Sequence, residues 1–164
     1  MIEGMSSLPF LLVVCTGNVC RSPMVEAQFR HYLADEGLSA NVFSRGLAAP
    51  VGRPPHPYAI EVSNAHGTPI DPEKRAASLT SADMAVAAAV FVMENSHRVE
   101  IQKRHPTAIG KTFLVGHWES KEIPDPINMD HSAFETAWEL GATGVRSWIK
   151  RLESAGVLSR KGFR

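Results

Sequence analysis

The chain has 164 residues, of which 44% are hydrophobic and 21% charged, and its 17 basic side chains balance its 17 acidic ones. That length suits one ordinary domain able to bury a core, and the composition is globular rather than disordered. A net charge of zero with no basic block excludes an electrostatic footprint for nucleic acid or an anionic membrane.

The first apolar run, Phe10–Cys15, predicts a strand that passes into Cys15-Thr16-Gly17-Asn18-Val19-Cys20-Arg21-Ser22-Pro23, with a helix over Pro23–Glu36. A strand at Asn41–Ser44 follows. The proline-rich stretch Pro50–Pro57 reads as a surface loop over the site, and His56–Ala65 as a helix. Further strands are expected at Ala88–Met93 and Thr112–Val115, and helices at Ser96–Lys103 and His131–Ser154. In the last helix Phe134, Trp138, Val145, Trp148, Ile149 and Leu152 recur at helical spacing, which makes the tryptophans core residues, and Gly156 fits the stop. Residues 1–8 and 157–164 read as loose ends of a single 1–164 domain. This alternation predicts an α/β fold, an open four-stranded parallel sheet with helices on both faces. Such sheets bind ligands at the carboxyl ends of their strands, which brings Cys15 and the loop after Thr112–Val115 to one face.

The chemistry is densest after the first strand. A loop that closes around a tetrahedral dianion must turn its N–H groups inward, and Gly17 and Asn18 tolerate the dihedrals this needs. Ser22 is expected as the helix N-cap with Pro23 at the first helical position, so open amides and the positive helix end face the same anion. Arg21 adds a planar fork of donors for two phosphate oxygens. In that field Cys15 is expected as a thiolate nucleophile. Ser22 is placed to donate to it and Asn18 to brace the loop. Attack on a phosphomonoester also needs a general acid for the leaving group. The candidate is Asp125, in Ile123-Pro124-Asp125-Pro126, where flanking prolines stiffen the backbone. Taken one at a time these residues have plain structural explanations; their conjunction points to catalysis.

The run Val14–Ala27 resembles the signature of the low-molecular-weight protein tyrosine phosphatases, and the likeness covers nearly the whole chain. Gly52–Pro57 resembles the segment entering that family's second helix, Ala89–Glu94 its strand and Met-acid pair, and Asp125-Pro126 its acid loop. The resemblance implies Cys15 as nucleophile, Arg21 as phosphate clamp, Asp125 as acid and then base, and a phosphate-binding loop of Thr16, Gly17, Asn18, Val19, Cys20 and Ser22. The expected reaction is hydrolysis of phosphotyrosine on a protein through a cysteinyl-phosphate intermediate, releasing inorganic phosphate. Cys20 is either loop packing or a redox partner that forms a reversible disulfide with Cys15, and the resemblance favours the second.

The pocket rim departs from the family pattern. Ile127 and Asn128 follow Asp125-Pro126 where family members often carry aromatics, and Leu47 and Ala48 stand in a loop that likewise lacks one. Lys74 lies where some members have a histidine that helps the loop asparagine. A relative acting on phosphoarginine carries threonine at the position of Val19, which leaves phosphoarginine as the alternative substrate, with phosphotyrosine preferred. A non-catalytic phosphate-binding module would lack the nucleophile or the acid, and a thioredoxin-coupled arsenate reductase would need more cysteines than the two present. Those two are too close together to staple a domain, and seven histidines with no His-x3-His pair predict no metal; no cofactor is expected. Glu3 in place of a basic leader, an apolar run too short for a signal and no cleavage pattern predict a cytoplasmic protein without membrane association.

Overall fold

The computed structural model describes residues 8–160. Four strands, β1 (Phe10–Cys15), β2 (Asn41–Gly46), β3 (Ala87–Val92) and β4 (Thr112–Leu114), form one all-parallel sheet in the order β2-β1-β3-β4. The alternation of β1 explains why both faces must be covered. Leu11, Val13 and Cys15 point into one apolar cluster, while Leu12 and Val14 point into another, and all five are at most 2% exposed.

The first cluster is closed by α1 (Arg21–Asp35), α2 (Pro57–Ala65) and α5 (His131–Ser154); the second is closed by α3 (Ser81–Val86) and α4 (Asn95–Arg104). In α5 the expected stripe from Phe134 to Leu152 is buried throughout. Its indoles are satisfied, with Trp138 donating to Thr68 Oγ1 at 3.0 Å and Trp148 to the Leu114 carbonyl at 2.9 Å. Gly144 lets this helix approach the end of β4, since a Cβ there would lie 2.4 Å from the Val115 carbonyl oxygen. Gly156, with φ of +82°, follows the helix end as expected. No helix among the described residues is long and apolar enough to cross a membrane.

Three expectations change. Helix α1 begins at Arg21, two residues early, with Cys20 as its N-cap, so Ser22 is not the cap and Pro23 is the third helical residue. Proline is tolerated there because first-turn amides have no intrahelical acceptor to lose. The short α3 was not expected, because its apolar residues run straight into β3. Its signal was the reciprocal pair Thr80 and Asp83, in which Thr80 Oγ1 accepts the Asp83 amide at 3.1 Å and Asp83 accepts the Thr80 amide at 3.0 Å. Finally, residues 157–160 are not loose. Leu158 is buried, Arg160 pairs with Glu153 at 3.0 Å, and Leu38 and Arg160 form an antiparallel bridge. Residues 1–7 and 161–164 of the expected loose ends lie outside the described residues.

In this strand order the connections leave β1 in opposite directions, toward β2 on one side and β3 on the other. Open parallel sheets place their ligand crevice at such a point. Cys15 ends β1, and the segments after β3 and β4 carry Glu94 and Asp125 to Arg21 at the same end of the sheet.

Candidate active site

Cys15 ends β1 at 2% exposure, and its sulfur has two polar neighbours: Ser22 Oγ at 3.0 Å and the Asn18 amide at 3.2 Å. The amide of Asn18 orients the partners of Ser22. The Ala77 backbone N–H donates to Asn18 Oδ1 at 3.0 Å, so Nδ2 must be the donor end. That nitrogen gives its two hydrogens to Ser22 Oγ at 2.8 Å and Ser44 Oγ at 3.0 Å. The Ser44 hydroxyl in turn donates to Glu26 Oε1 at 2.5 Å. Ser22 accepts from Asn18 and keeps its own hydrogen free, so it is able to donate to the sulfur of Cys15 when that sulfur is a thiolate. Both donors stabilise negative charge on that sulfur.

The far end of this chain is a buried charge. Glu26 is 6% exposed and is compensated by Arg30 at 2.7 Å and Lys74 at 3.7 Å. Lys74 also donates to the Ser44 carbonyl at 3.0 Å, so it supports the network through Glu26 and β2 rather than touching Asn18. Burial pushes its ammonium below the ordinary value, against the pull of Glu26. The Asn18 side-chain oxygen is served by the backbone of Ala77.

Of the two residues expected to take unusual dihedrals, Asn18 does, with φ of +57°, and Gly17 is not in the left-handed region. A Cβ on Gly17 would meet only Val19 at 3.5 Å and Pro50 at 3.9 Å, both ordinary contacts. The glycine the loop requires is Gly46 at the end of β2. A Cβ there would sit 2.8 Å from the Thr16 carbonyl oxygen, 3.0 Å from Ala49 and 3.1 Å from Asn18. With the hydroxyl of Ser22 turned to the cysteine, no side chain caps α1, so its first amides remain open for an anion.

Arg21 is 2% exposed, and its guanidinium is held from three sides. Nη1 pairs with the Glu94 carboxylate and donates to the Ile123 carbonyl at 2.8 Å, and Nη2 lies 3.4 Å from Asp125 Oδ2. Asp125 is thus joined to the cradle through Arg21. Its other oxygen accepts the Ile127 amide at 3.1 Å, and the side chain is 40% exposed. Thr16 Oγ1 lies 3.0 Å from His97 Nε2. The loop after β2 wraps the cradle, with the Leu47 amide on the Cys15 carbonyl, the Ala48 amide on that of Thr16 and the His56 amide on that of Val19.

The expected rim divides. Ala48, Ile127 and Asn128 are exposed, with Asn128 at φ of +66°, whereas Leu47 is half-buried and packs against the second core cluster. Val19 is buried at 6% exposure in the first cluster. Both cysteines are free thiols. Burial, reinforced by the charges of Cys15 and Asp125, pushes the Cys20 thiol up to about 12, so it stays protonated at neutral pH. Away from the cradle, His66, Glu135 and Glu139 bring ligand-type atoms within 4.8 Å, with His66 stacked on Trp138 at 3.8 Å and paired to Glu135 at 3.0 Å, an arrangement no motif announces.

Ser44, Glu26, Gly46, Glu94, His97 and Ala77 were not singled out as site residues from sequence. Two of them lay in stretches the resemblance picked out, Glu26 within Val14–Ala27 and Glu94 in the Met-acid pair after β3.

Residues 10–158 match the family described as low molecular weight phosphotyrosine protein phosphatase. A relative from Ralstonia nicotianae, named "Probable low molecular weight protein-tyrosine-phosphatase EpsP", is 41% identical over 146 residues, 89% of this chain and 97% of its own. The structure of Vibrio vulnificus Wzb in complex with benzylphosphonate superposes with a TM-score of 0.82 at 33% identity, covering 88% of this chain and 99% of that one. The YwlE arginine phosphatase from Geobacillus stearothermophilus superposes with a TM-score of 0.81 at 27% identity, covering 90% and 94%. With its cradle, its parallel sheet and a family match spanning nearly all the described residues, the chain belongs to the low molecular weight phosphotyrosine protein phosphatase family.

Proposed function

We propose that this protein hydrolyses phosphotyrosine monoesters on proteins in the cytoplasm, with Cys15 as nucleophile, Arg21 as phosphate clamp and Asp125 as general acid and base. The observation that carries the reading is the pair of polar neighbours on the Cys15 sulfur, the Asn18 amide that donates to it and the Ser22 hydroxyl held beside it by Asn18. An inert core cysteine has no use for them.

In the first step the Cys15 thiolate attacks phosphorus in line, the bond from phosphorus to the ester oxygen breaks, and the Asp125 carboxyl gives its proton to that oxygen. In the second, Asp125 takes a proton from water as the water oxygen bonds to phosphorus. The sulfur–phosphorus bond then breaks and the thiolate and phosphate are released. Charge on the equatorial oxygens is held by Arg21 and the loop amides from Thr16 to Arg21, preorganised donors of which one is worth on the order of 10²–10³ in rate. The reaction requires no metal or redox group.

Phosphoarginine is the second reading, favoured by the likeness to the Geobacillus arginine phosphatase. Val19 offers no hydroxyl to a guanidino group, which favours the aryl ester. The deciding experiment is kcat/KM on a phosphotyrosine peptide and a matched phosphoarginine peptide, with Cys15→Ser as blank. A tyrosine preference supports the first reading, an arginine preference the second, and turnover that survives in Cys15→Ser overturns both.

A further inference from the structure

Thr16 follows the nucleophile directly and is the one exposed residue between Cys15 and Ser22. A surface threonine needs no protein partner, yet its hydroxyl lies 3.0 Å from Nε2 of His97, which is 4% exposed in the first turn of α4. The other ring nitrogen fixes the proton. His97 Nδ1 lies 3.2 Å from the backbone nitrogen of Glu94, a group that can only donate. Nδ1 is therefore an unprotonated acceptor, the neutral ring carries its hydrogen on Nε2, and Nε2–H donates to Thr16 Oγ1. The Thr16 hydroxyl hydrogen cannot point back at His97. No other partner of that oxygen is found among the described residues, and the Thr16 carbonyl is already tied to the Ala48 amide at 2.8 Å.

One imidazole thus joins two parts of the cradle: the residue after the nucleophile, and the backbone of Glu94, whose carboxylate grips Arg21. We propose that His97 is a positioning residue that holds the Thr16 hydroxyl as a hydrogen-bond donor to an oxygen of the phosphoryl group over Cys15. The proposal rests on the phosphatase reading and adds a donor from a side chain to the amides and Arg21.

The groups that face His97 are Arg21, Glu94, Asp125 and Glu122. Burial and then Arg21 hold the imidazole below its ordinary value of 6.5, against the three carboxylates, so the neutral ring that the hydrogen bonds require is the form present at neutral pH.

The test uses the intact chain and two readouts: kcat and KM on a phosphotyrosine peptide, and the affinity for inorganic phosphate measured by calorimetry, which needs no turnover. Thr16→Val should weaken phosphate binding and lower kcat/KM, each by about ten- to a hundredfold, the worth of one hydrogen bond to a charged group. His97→Phe should do the same, and the double variant should be no worse than either, because both remove one interaction. His97→Gln, which can donate to Thr16 and accept from Glu94, should recover most of the loss. Should His97→Phe fail to fold, Thr16→Val and His97→Gln decide. The proposal is overturned if Thr16→Val leaves phosphate affinity within twofold of the parent, or if the two single effects multiply. A parent that binds phosphate without hydrolysing either peptide would sink the phosphatase reading alone, and the Thr16→Val phosphate affinity would still judge His97.

Discussion

The inner wall of the cradle and its outer rim are built on opposite terms. On the inner wall, Asn18, Ser22 and Ser44 are all 0% exposed, and each polar atom of the chain from Cys15 to Glu26 has an assigned partner. A buried polar group left unpaired is costly, so full pairing holds this wall in one arrangement. At the rim, Asp125 is 40% exposed, Ile127 is 39% exposed, and the turn is held by the Ile127 amide on Asp125. Under the proposed mechanism this is a division of labour: the wall positions the sulfur, and the rim delivers a proton and meets the leaving group. Changes on the wall should therefore damage every substrate alike, and changes at the rim should discriminate among substrates.

The largest effect tests the wall. Cys15→Ser should abolish turnover on all phosphate esters while phosphate affinity, measured by calorimetry, persists. Residual turnover above about a thousandth of the parent would break the assignment of the nucleophile. The rim counterpart is Asp125→Asn, which should lower kcat by about 10²–10⁴ on alkyl or poor aryl leaving groups and far less on activated aryl phosphates. Equal loss on both, read as kcat against leaving-group acidity, would remove Asp125 from the acid role and the rim from proton delivery.

Two glycines sharpen the contrast between sequence and space. Gly46→Ala forces a Cβ to within 2.8 Å of a backbone oxygen that cannot rotate away, and should cost roughly 1–3 kcal/mol of stability together with activity. Gly17→Ala, inside the signature itself, meets only ordinary contacts and should cost less in thermal unfolding. The reverse order would mean that the loop, not the β2 end, is the tight point.

That pair also shows what could be read from the chain alone. The strand-loop-helix signature put Cys15, Asn18, Ser22 and Arg21 in the cradle, because neighbours in sequence form it and its chemistry is local. Four strands and four of the five helices were legible from hydrophobic period and stop signals. Partners that arrive through space carry no local pattern. Ser44 and Gly46 matter because β2 lies beside β1, Ala77 acts through its backbone, and His97 stands 81 residues from Thr16. Ser22 was read both as the cap and as a partner of the sulfur, and its hydroxyl lies on the sulfur and caps nothing.

Acid and alkali should probe the wall with opposite signs. His97 is held below its unfolded value of 6.5, so between that value and its lower folded one the unfolded chain binds more protons and stability falls as pH drops. Cys20 is raised from 9.0 to about 12, so between those values the folded chain holds a proton the unfolded one has released, and stability falls as pH rises. Tm against pH should show both flanks. His97→Gln should flatten the acid one and Cys20→Ala the alkaline one, and an unchanged flank in either variant would reassign that titration.

The smallest effect concerns the missing ring slot. Ile127 is exposed beside the proposed acid, so Ile127→Tyr adds an aromatic face at the rim without entering the core. An offset-stacked ring pair is worth about 0.5–1.5 kcal/mol beyond area, which is a two- to tenfold change in binding. Because the substrate ring lies outside the bond being broken, that energy is the same in ground and transition states. KM for a phosphotyrosine peptide should therefore fall while kcat holds, and KM for an alkyl phosphate should not move. A change in kcat instead would mean that the turn from Asp125 to Asn128 had shifted with its side chain, and that the rim positions the acid as tightly as the wall positions the sulfur.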